Sequence, residues 1–426
     1  MRMKNNPTNI TSEGASKKLV PELRFPEFVN EGEWMEQLLG NCLSQTPDYG
    51  LNAPAIPYSL LKPTYLRITD IDDNGRFVSD KKMSVETEMT DKNSLAEGDI
   101  VFARTGASVG KVYKYRVEDG PLVFAGFLIR VRPNISKYSS EYIFQYLFTD
   151  AYKRWVQVTS ARSGQPGINS NEYASLRIPF PTLDEQRQIA QCLSSLDELI
   201  AATKEKVVLL KEHKRGLLQK LFPAKGKTLP ELRFPEFKDE GEWKMIRFGS
   251  LIDESNEVSK REDEDILLSS TINGIILHSE LFSHQRGSSN VGYRKLKKNM
   301  LVLSAQNLHL GNANVNTRFE HGLISPAYKI FNILNCDVLF LSQWIKKNTT
   351  NQFFYDATTA GASACRRNVV WDDLYNQRIL LPSIVEQQKI VSVLSSLDNQ
   401  IEQYNEKVKA LESHKKGLMQ KLFPKK

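Results

Sequence analysis

The sequence predicts an α+β chain in which one plan is used twice: two mixed α/β domains, each followed by a long helix, related by pseudo-two-fold symmetry. Three observations predict this. Val20–Trp34 (VPELRFPEFVNEGEW) returns as Leu229–Trp243 (LPELRFPEFKDEGEW). Leu183–Pro223 returns as Ile384–Pro424, sharing Glu-Gln near its start and QKLFP at its end. Both copies of this second segment carry apolar residues at alternating spacings of four and three, the period of a paired helix. Identity this dense marks a duplication of about half the chain. The expected division is a disordered tail over 1–19, a first domain over 20–182, a helix over 183–223, a linker over 224–228, a second domain over 229–382 and a second helix over 383–424.

Bulk properties set the class. The 426 residues suit two domains with connecting helices. Hydrophobic residues at 40% and charged residues at 25% are globular values. The 57 basic residues exceed the 50 acidic ones by seven, which favours a polyanionic partner. Cys42, Cys192, Cys336 and Cys365 form no CxxC pair and stand at no zinc spacing with histidine, so they are expected as isolated reduced thiols, with no metal bound. No apolar stretch reaches membrane-spanning length, and the polar start has no signal-peptide core, so a cytoplasmic chain without membrane contact is expected.

The helices are the strongest local feature. Pro181 and Pro382 precede them, and Thr182-x-x-Glu185 and Ser383-x-x-Glu386 are expected to form capping boxes. The first seam holds Ile189, Leu193, Leu196, Ile200, Val207, Leu210, Leu217 and Leu221. The second holds Ile390, Leu394, Leu397, Ile401, Val408, Leu411, Leu418 and Leu422. Thr203 and Tyr404 occupy equivalent places. Two equivalent seams in one chain are expected to pack on each other; the alternative is that each helix packs on its own domain. Lys214 and Lys415 also fall on the seam, where such a residue costs stability and can set register; the milder reading, that both snorkel outward near the helix ends, is favoured. His213 and His414 suggest no metal. Gly216 and Gly417 lie off the seam, as tolerated glycines or as places where another chain comes close. At ~1.5 Å per residue each helix is about 55 Å long. A pseudo-two-fold axis across the helices would make them antiparallel; a parallel pair stays open.

The intervening segments diverge, with matches at a constant offset of 201: Ile100-Val101-Phe102 with Leu301-Val302-Leu303, Leu122-Val123 with Leu323-Ile324, and Arg177-Ile178 with Arg378-Ile379. Strands are expected at 65–68, 100–103, 127–131, 300–304 and 328–333. Helices are expected at 141–156 and 338–347.

Two runs imitate known motifs. Gly106–Lys111 (GASVGK) is one residue short of a P-loop, and Val112 stands where Ser or Thr would hold magnesium. Asp70–Gly75 starts like a calcium loop, but its twelfth position is Lys81, so a turn is expected. Neither these runs nor any other suggests a catalyst or a bound cofactor. What remains is binding. In the first domain the candidates are Arg104, Thr105, Gly106, Ser108 and Lys111, with Arg162, Ser163, Gly164 and Gln165. In the second they are Ser304, Gln306, Asn307 and His309, with Arg366 and Arg367. Arg can read guanine and Asn or Gln adenine through paired hydrogen bonds, while Lys meets phosphate.

The pattern PELRFPEF…GEW, a variable domain and a heptad helix opening on EQ and ending in QKLFP, all repeated, resembles the specificity subunit of type I restriction–modification enzymes. Gly98–Lys111 (GDIVFARTGASVGK) is similar to a run in that family's target-recognition domains, and the second domain departs from it with Asn299–Asn312 (NMLVLSAQNLHLGN). The resemblance implies two target-recognition domains separated by an antiparallel coiled coil. Each domain would read one half of an asymmetric bipartite site in double-stranded DNA. The helices would set the gap, acting as a ruler against the ~34 Å turn of DNA, and dock two methyltransferase subunits. Restriction subunits would complete the complex. No catalysis would reside in this chain; S-adenosylmethionine, ATP and magnesium would belong to the partners. The competing readings are a coiled-coil scaffold presenting protein-binding domains without DNA contact, and a self-sufficient DNA methyltransferase.

Overall fold

The computed structural model describes residues 19–161, 164–281, 289–347, 349–360 and 367–425. In chain order its helices are α1 (Ser140–Tyr146), α2 (Asp150–Thr159), α3 (Ser170–Ala174), α4 (Leu183–Lys220), α5 (Val338–Ile345), α6 (Thr350–Asp356), α7 (Trp371–Asn376) and α8 (Ile384–Leu422). The chain forms two compact units. One comprises Met1–Thr203 with Lys407–Lys426, the other Lys204–Glu406. Each unit therefore contains the start of one long helix and the end of the other.

In the first unit a four-stranded antiparallel sheet runs in the order 48–49, 128–131, 100–103, 112–114. All four residues of Ile100–Ala103 are buried, because the strand is covered on both faces. Ile100 and Phe102 enter one core with α1, α2 and the lead-in residue Trp34. Val101 and Ala103, pointing the other way, enter a second core with Leu66, Leu122 and Phe124. Alternation along a strand thus feeds two layers. A second sheet orders 55–57, 83–85, 64–66 and 122–124, its last pair parallel. Met35–Leu38 pairs with Arg177–Phe180.

The second unit repeats the central sheet as 252–255, 328–333, 301–304, 313–315. Leu301 and Leu303 face one core and Val302 the other. Lys244–Arg247 pairs with Arg378–Leu381. The matches at offset 201 thus fall on the central strand, on the strand beside the lead-in segment and, for Leu122-Val123 and Leu323-Ile324, on a strand outside the central sheet in both units.

One predicted helix is two. The run 141–156 breaks between α1 and α2 because the Thr149 hydroxyl accepts a bond from the Tyr152 amide at 3.3 Å and starts a new helix. The helix predicted over 338–347 ends at Ile345.

The long helices assemble antiparallel within each unit. In the first, Ile189, Ala190 and Leu193 of α4 share a core with Leu418, Met419, Leu422 and Phe423. Phe423 lies 5.4 Å from Tyr142 and 5.7 Å from Tyr146, ring to ring. In the second, Ile390, Val391 and Leu394 of α8 share a core with Leu217, Leu218, Leu221 and Phe222. Phe222 sits 5.0 Å from Phe340. Farther along, Ile200, Thr203, Val207, Leu210 and Val408 are buried, and Leu196, Leu397, Ile401, Tyr404 and Leu411 half-buried.

The capping boxes are a correction. Ser383 caps α8 by accepting from the Glu386 amide at 3.3 Å, but neither glutamate bonds back to its own helix start. Glu185 takes a two-pronged bond from Arg24 (2.8 and 2.7 Å), and Glu386 one from Arg233 (2.9 and 2.8 Å). The lead-in arginine outcompetes the local cap because it supplies two charge-assisted bonds to a buried carboxylate. Removing one partner of such a buried pair costs about 3–5 kcal/mol. The next residue, glutamine, ties the helix start to the domain. Gln186 accepts from the Ser139 amide at 3.0 Å, and Gln387 from the Asp337 amide at 2.8 Å.

The seam lysines are a second correction, for they do not snorkel. Lys415 donates to both Asp197 oxygens at 2.6 Å, and Lys214 to both Asp398 oxygens at 2.7 and 2.8 Å. A glutamine from the neighbouring domain helix completes each node: Gln145 donates to Asp197 at 2.9 Å and Gln343 to Asp398 at 3.1 Å.

Candidate nucleic-acid interface

In the first unit the central strand delivers the chain at Arg104 into a tight loop. Gly106 and Gly110 have φ of +75° and +83°, and a Cβ at Gly110 would stand 2.5 Å from a Val156 methyl, so glycine is required there. Two buried tyrosines hold the loop from beneath. Tyr173 donates to the Ala103 carbonyl and Tyr152 to the Gly110 carbonyl, each at 2.8 Å. Burial pushes both phenols well above their ordinary range, so they remain donors.

The structure brings the two predicted loops of this domain together. Thr105 bridges to Gly167, the Gly106 amide donates to the Pro166 carbonyl at 3.0 Å, and the Ile168 amide donates to Arg104 at 2.9 Å. Gly164 and Gln165 are exposed, and the Gln165 amide stands over Gly106. Arg162 and Ser163 lie outside the described residues. The Arg104 guanidinium stacks 5.0 Å from the Tyr49 ring, and its buried Nε has no hydrogen-bond partner among the described residues. Tyr49 is anchored by the Ser170 amide at 3.1 Å, and the Ser170 side chain, aided by that amide, lowers its phenol pKa. The Arg104 amide donates to the carbonyl of Phe127, an exposed aromatic. Lys111 reaches fully exposed Asp73 at 3.2 Å, a surface pair of little energy. Ser108 closes the loop, its carbonyl accepting from the Lys111 amide at 3.0 Å.

Tyr49 and Phe127 escaped the sequence reading. Neither is close in sequence to Arg104; only the sheet order places them beside it.

The second unit places its candidates differently. Gln306 and Asn307 are exposed on the turn after the central strand. Ser304 is buried, and its hydroxyl accepts from the Asn307 amide at 3.1 Å, which shapes that turn. His309 is half-buried, and burial followed by the Arg367 charge lowers its pKa, which favours the neutral ring at neutral pH. Arg367 is a strut: it donates to the Thr358 hydroxyl and carbonyl, both at 2.7 Å, and stacks 4.0 Å from Tyr355. Arg366 lies outside the described residues.

The run that starts like a calcium loop folds as a turn. Asp70 is buried against Arg67, and Asp72 accepts amides of Asn74 and Arg76 in a turn. No metal-competent cluster of His, Cys, Asp and Glu occurs among the described residues. Burial pushes the Cys42 thiol up to about 11 and the Cys336 thiol up to about 12, so neither is a thiolate at neutral pH. Among the described residues no helix is long and apolar enough to cross a membrane.

Comparison with known proteins gives consistent results. The family model described as type I restriction modification DNA specificity domain matches residues 58–212. A chain of Methanocaldococcus jannaschii described as the MjaX type I restriction enzyme specificity subunit is 24% identical over 360 residues, 80% of each chain. The MjaVIII specificity subunit of the same organism is 23% identical over 54% of this chain and 51% of that one. Among solved structures, a type I restriction–modification S subunit from M. genitalium aligns with a TM-score of 0.58 at 15% identity, covering 96% of this chain and all of that one. A chain from a study of type I system assembly aligns with a TM-score of 0.50 at 17% identity, covering 92% and 97%. The two structural likenesses concern the fold.

Proposed function

We infer that this chain, which belongs to the type I restriction–modification specificity-subunit family, is the non-catalytic subunit that selects the DNA sequence for its complex. The observation that carries the finer reading is a repeated frame with unlike loops. The same central strand ends in Arg104 beside Tyr49 and Gln165 in one unit, and in Gln306 and Asn307 in the other. Each unit then reads one half of an asymmetric bipartite duplex site. Arg104 is suited to guanine, Gln165, Gln306 and Asn307 to adenine, and Lys111 to phosphate. Phe127 adds an apolar contact. Thr105, Gly106, Ser108 and Gly164 shape the first surface.

The paired helices set the gap between half-sites and dock two methyltransferase subunits, and restriction subunits join the full complex. S-adenosylmethionine, ATP and magnesium belong to those partners, and the complex works on DNA in the cytoplasm. Mapping methylated adenines in cells that carry the chain with its partners tests this reading. The expected result is one asymmetric two-part motif with a fixed gap, and duplex binding in vitro that weakens steeply with salt. Methylation unchanged when the chain is deleted would refute it.

A further inference from the structure

In the second unit the exposed pair Gln306 and Asn307 hangs on the turn that joins strand Leu301–Ser304 to strand Ala313–Val315. Asn312 closes that turn. Its carbonyl accepts from the Ser304 amide at 3.1 Å, and its amide donates to the Asn307 carbonyl at 3.4 Å. Its buried side chain is engaged elsewhere, by a hairpin outside the central sheet, Leu268–Thr271 paired with Gly274–Leu277.

A polar network fastens the hairpin to the turn. Asn312 Oδ1 accepts from the Ser270 hydroxyl at 2.8 Å, and Asn312 Nδ2 donates to the Ser270 carbonyl at 3.2 Å. Tyr328, opposite Ser304 in the sheet, adds its hydroxyl to the same carbonyl at 3.1 Å. Asn314 Nδ2 donates to the Ser270 hydroxyl at 2.7 Å and to the Thr271 carbonyl at 2.8 Å. Lys346, just past the end of α5, braces the set from the surface. It donates to Asn314 Oδ1 at 2.6 Å, to the Ile272 carbonyl at 2.9 Å and to the Ala313 carbonyl at 3.2 Å. Ser270, Asn312 and Asn314 are all buried.

The fold does not force polar residues there. In the first unit Tyr113 stands opposite Val101 in the central sheet, where the second unit sets Asn314 opposite Val302. Tyr113 packs in an apolar core with Ile71 and Leu122. Apolar packing fills space with little sense of direction, whereas a complete set of buried hydrogen bonds fixes one arrangement. A paired hydrogen bond to a base edge depends on the angle at which the amide arrives, so looseness in the turn lowers discrimination.

We propose that Ser270, Asn312, Asn314 and Lys346 are positioning residues for the second half-site: they lock the turn to the hairpin, so that Gln306 and Asn307 are presented in one orientation. This rests on the functional reading above.

The test uses the full chain in complex with its methylation subunits. The probes are duplexes carrying the mapped methylated motif, with single-base changes in one half at a time. Asn314→Leu should lower discrimination against changes in the second half about tenfold, with discrimination in the first half unchanged. Lys346→Met, which alters an exposed residue, should produce a smaller loss in the same half, and it decides the matter if Asn314→Leu melts early. Lys346→Arg, which can donate to the same carbonyls, should restore discrimination. A merely structural network would weaken binding to every duplex alike and leave the ratios unchanged. That result, discrimination kept by both variants, or equal losses in the two halves would each overturn the proposal. Should wild type itself bind all the duplexes alike, the functional reading fails and the proposal falls with it; discrimination by wild type that both variants keep sinks the proposal alone.

Discussion

Arg104 is held in place by its ring partner and its backbone. Its guanidinium is stacked on Tyr49, its backbone is fixed on both sides, and among the described residues no carboxylate claims it. Arg367 is held differently, with Nε and Nη2 each donating to Thr358. Arg104→Ala is therefore expected to cost about 1–3 kcal/mol of binding and to relax preference at one base of one half-site. Lys111→Ala should weaken binding evenly across sequences and lower the salt slope by about one. Competition binding with single-base variants of the mapped site measures both; equal losses on every base for Arg104→Ala would mark it as a phosphate contact. The loops around Arg104 and Gln165 were legible in sequence because glycines at positive φ and polar residues stand together there. Tyr49 and Phe127 were not, since stacking and sheet order carry no local pattern.

The elements were legible where the cause is local and illegible where the partner is distant. The 3.5-residue period of α4 and α8 announces the long helices, and Thr149 announces the break between α1 and α2 to a reader looking for caps. Glu185 looked like half of a capping box because its true partner, Arg24, is 161 positions away. Lys415 looked like a snorkelling seam residue because Asp197 is 218 positions away. Both misreadings have one physical root: a charge spends itself on the best donor or acceptor in space. The Asp197–Lys415 node lies between surface and fully buried character, with side chains 26% and 14% exposed. Asp197→Lys or Lys415→Asp alone should destabilise by roughly 1–2 kcal/mol in urea unfolding. The double reversal should recover more than half, helped by Gln145, whose buried Oε1 has no donor among the described residues and could serve a lysine at position 197. Additive losses in the double variant would show that the ion pair is incidental.

At the scale of the molecule the sequence announced the duplication and the mixed composition of each unit, but not how the chain is shared between units. The repeats suggest domain-then-helix, twice. The fold instead completes each unit with the end of the helix that belongs to the other repeat. Modularity should survive this arrangement, because the repeated parts carry the exchange and the divergent parts carry the loops. Replacing residues 35–182 with the matching segment of another family member should change one half of the methylated motif and leave the other half and the gap intact. Sequencing of methylated sites would show it, and loss of both halves would count against separate reading units. The same exchange has a consequence in time. The unit formed by Lys204–Glu406 is continuous and can close as soon as it is made, but the core holding Trp34, Tyr142 and Tyr146 waits for Leu422 and Phe423. At 5–20 residues per second the ribosome needs on the order of 10–45 s to travel from Thr203 to those residues. For that interval the earlier-made domain stands with a vacant seat in its core, and the end of the second long helix is what closes it.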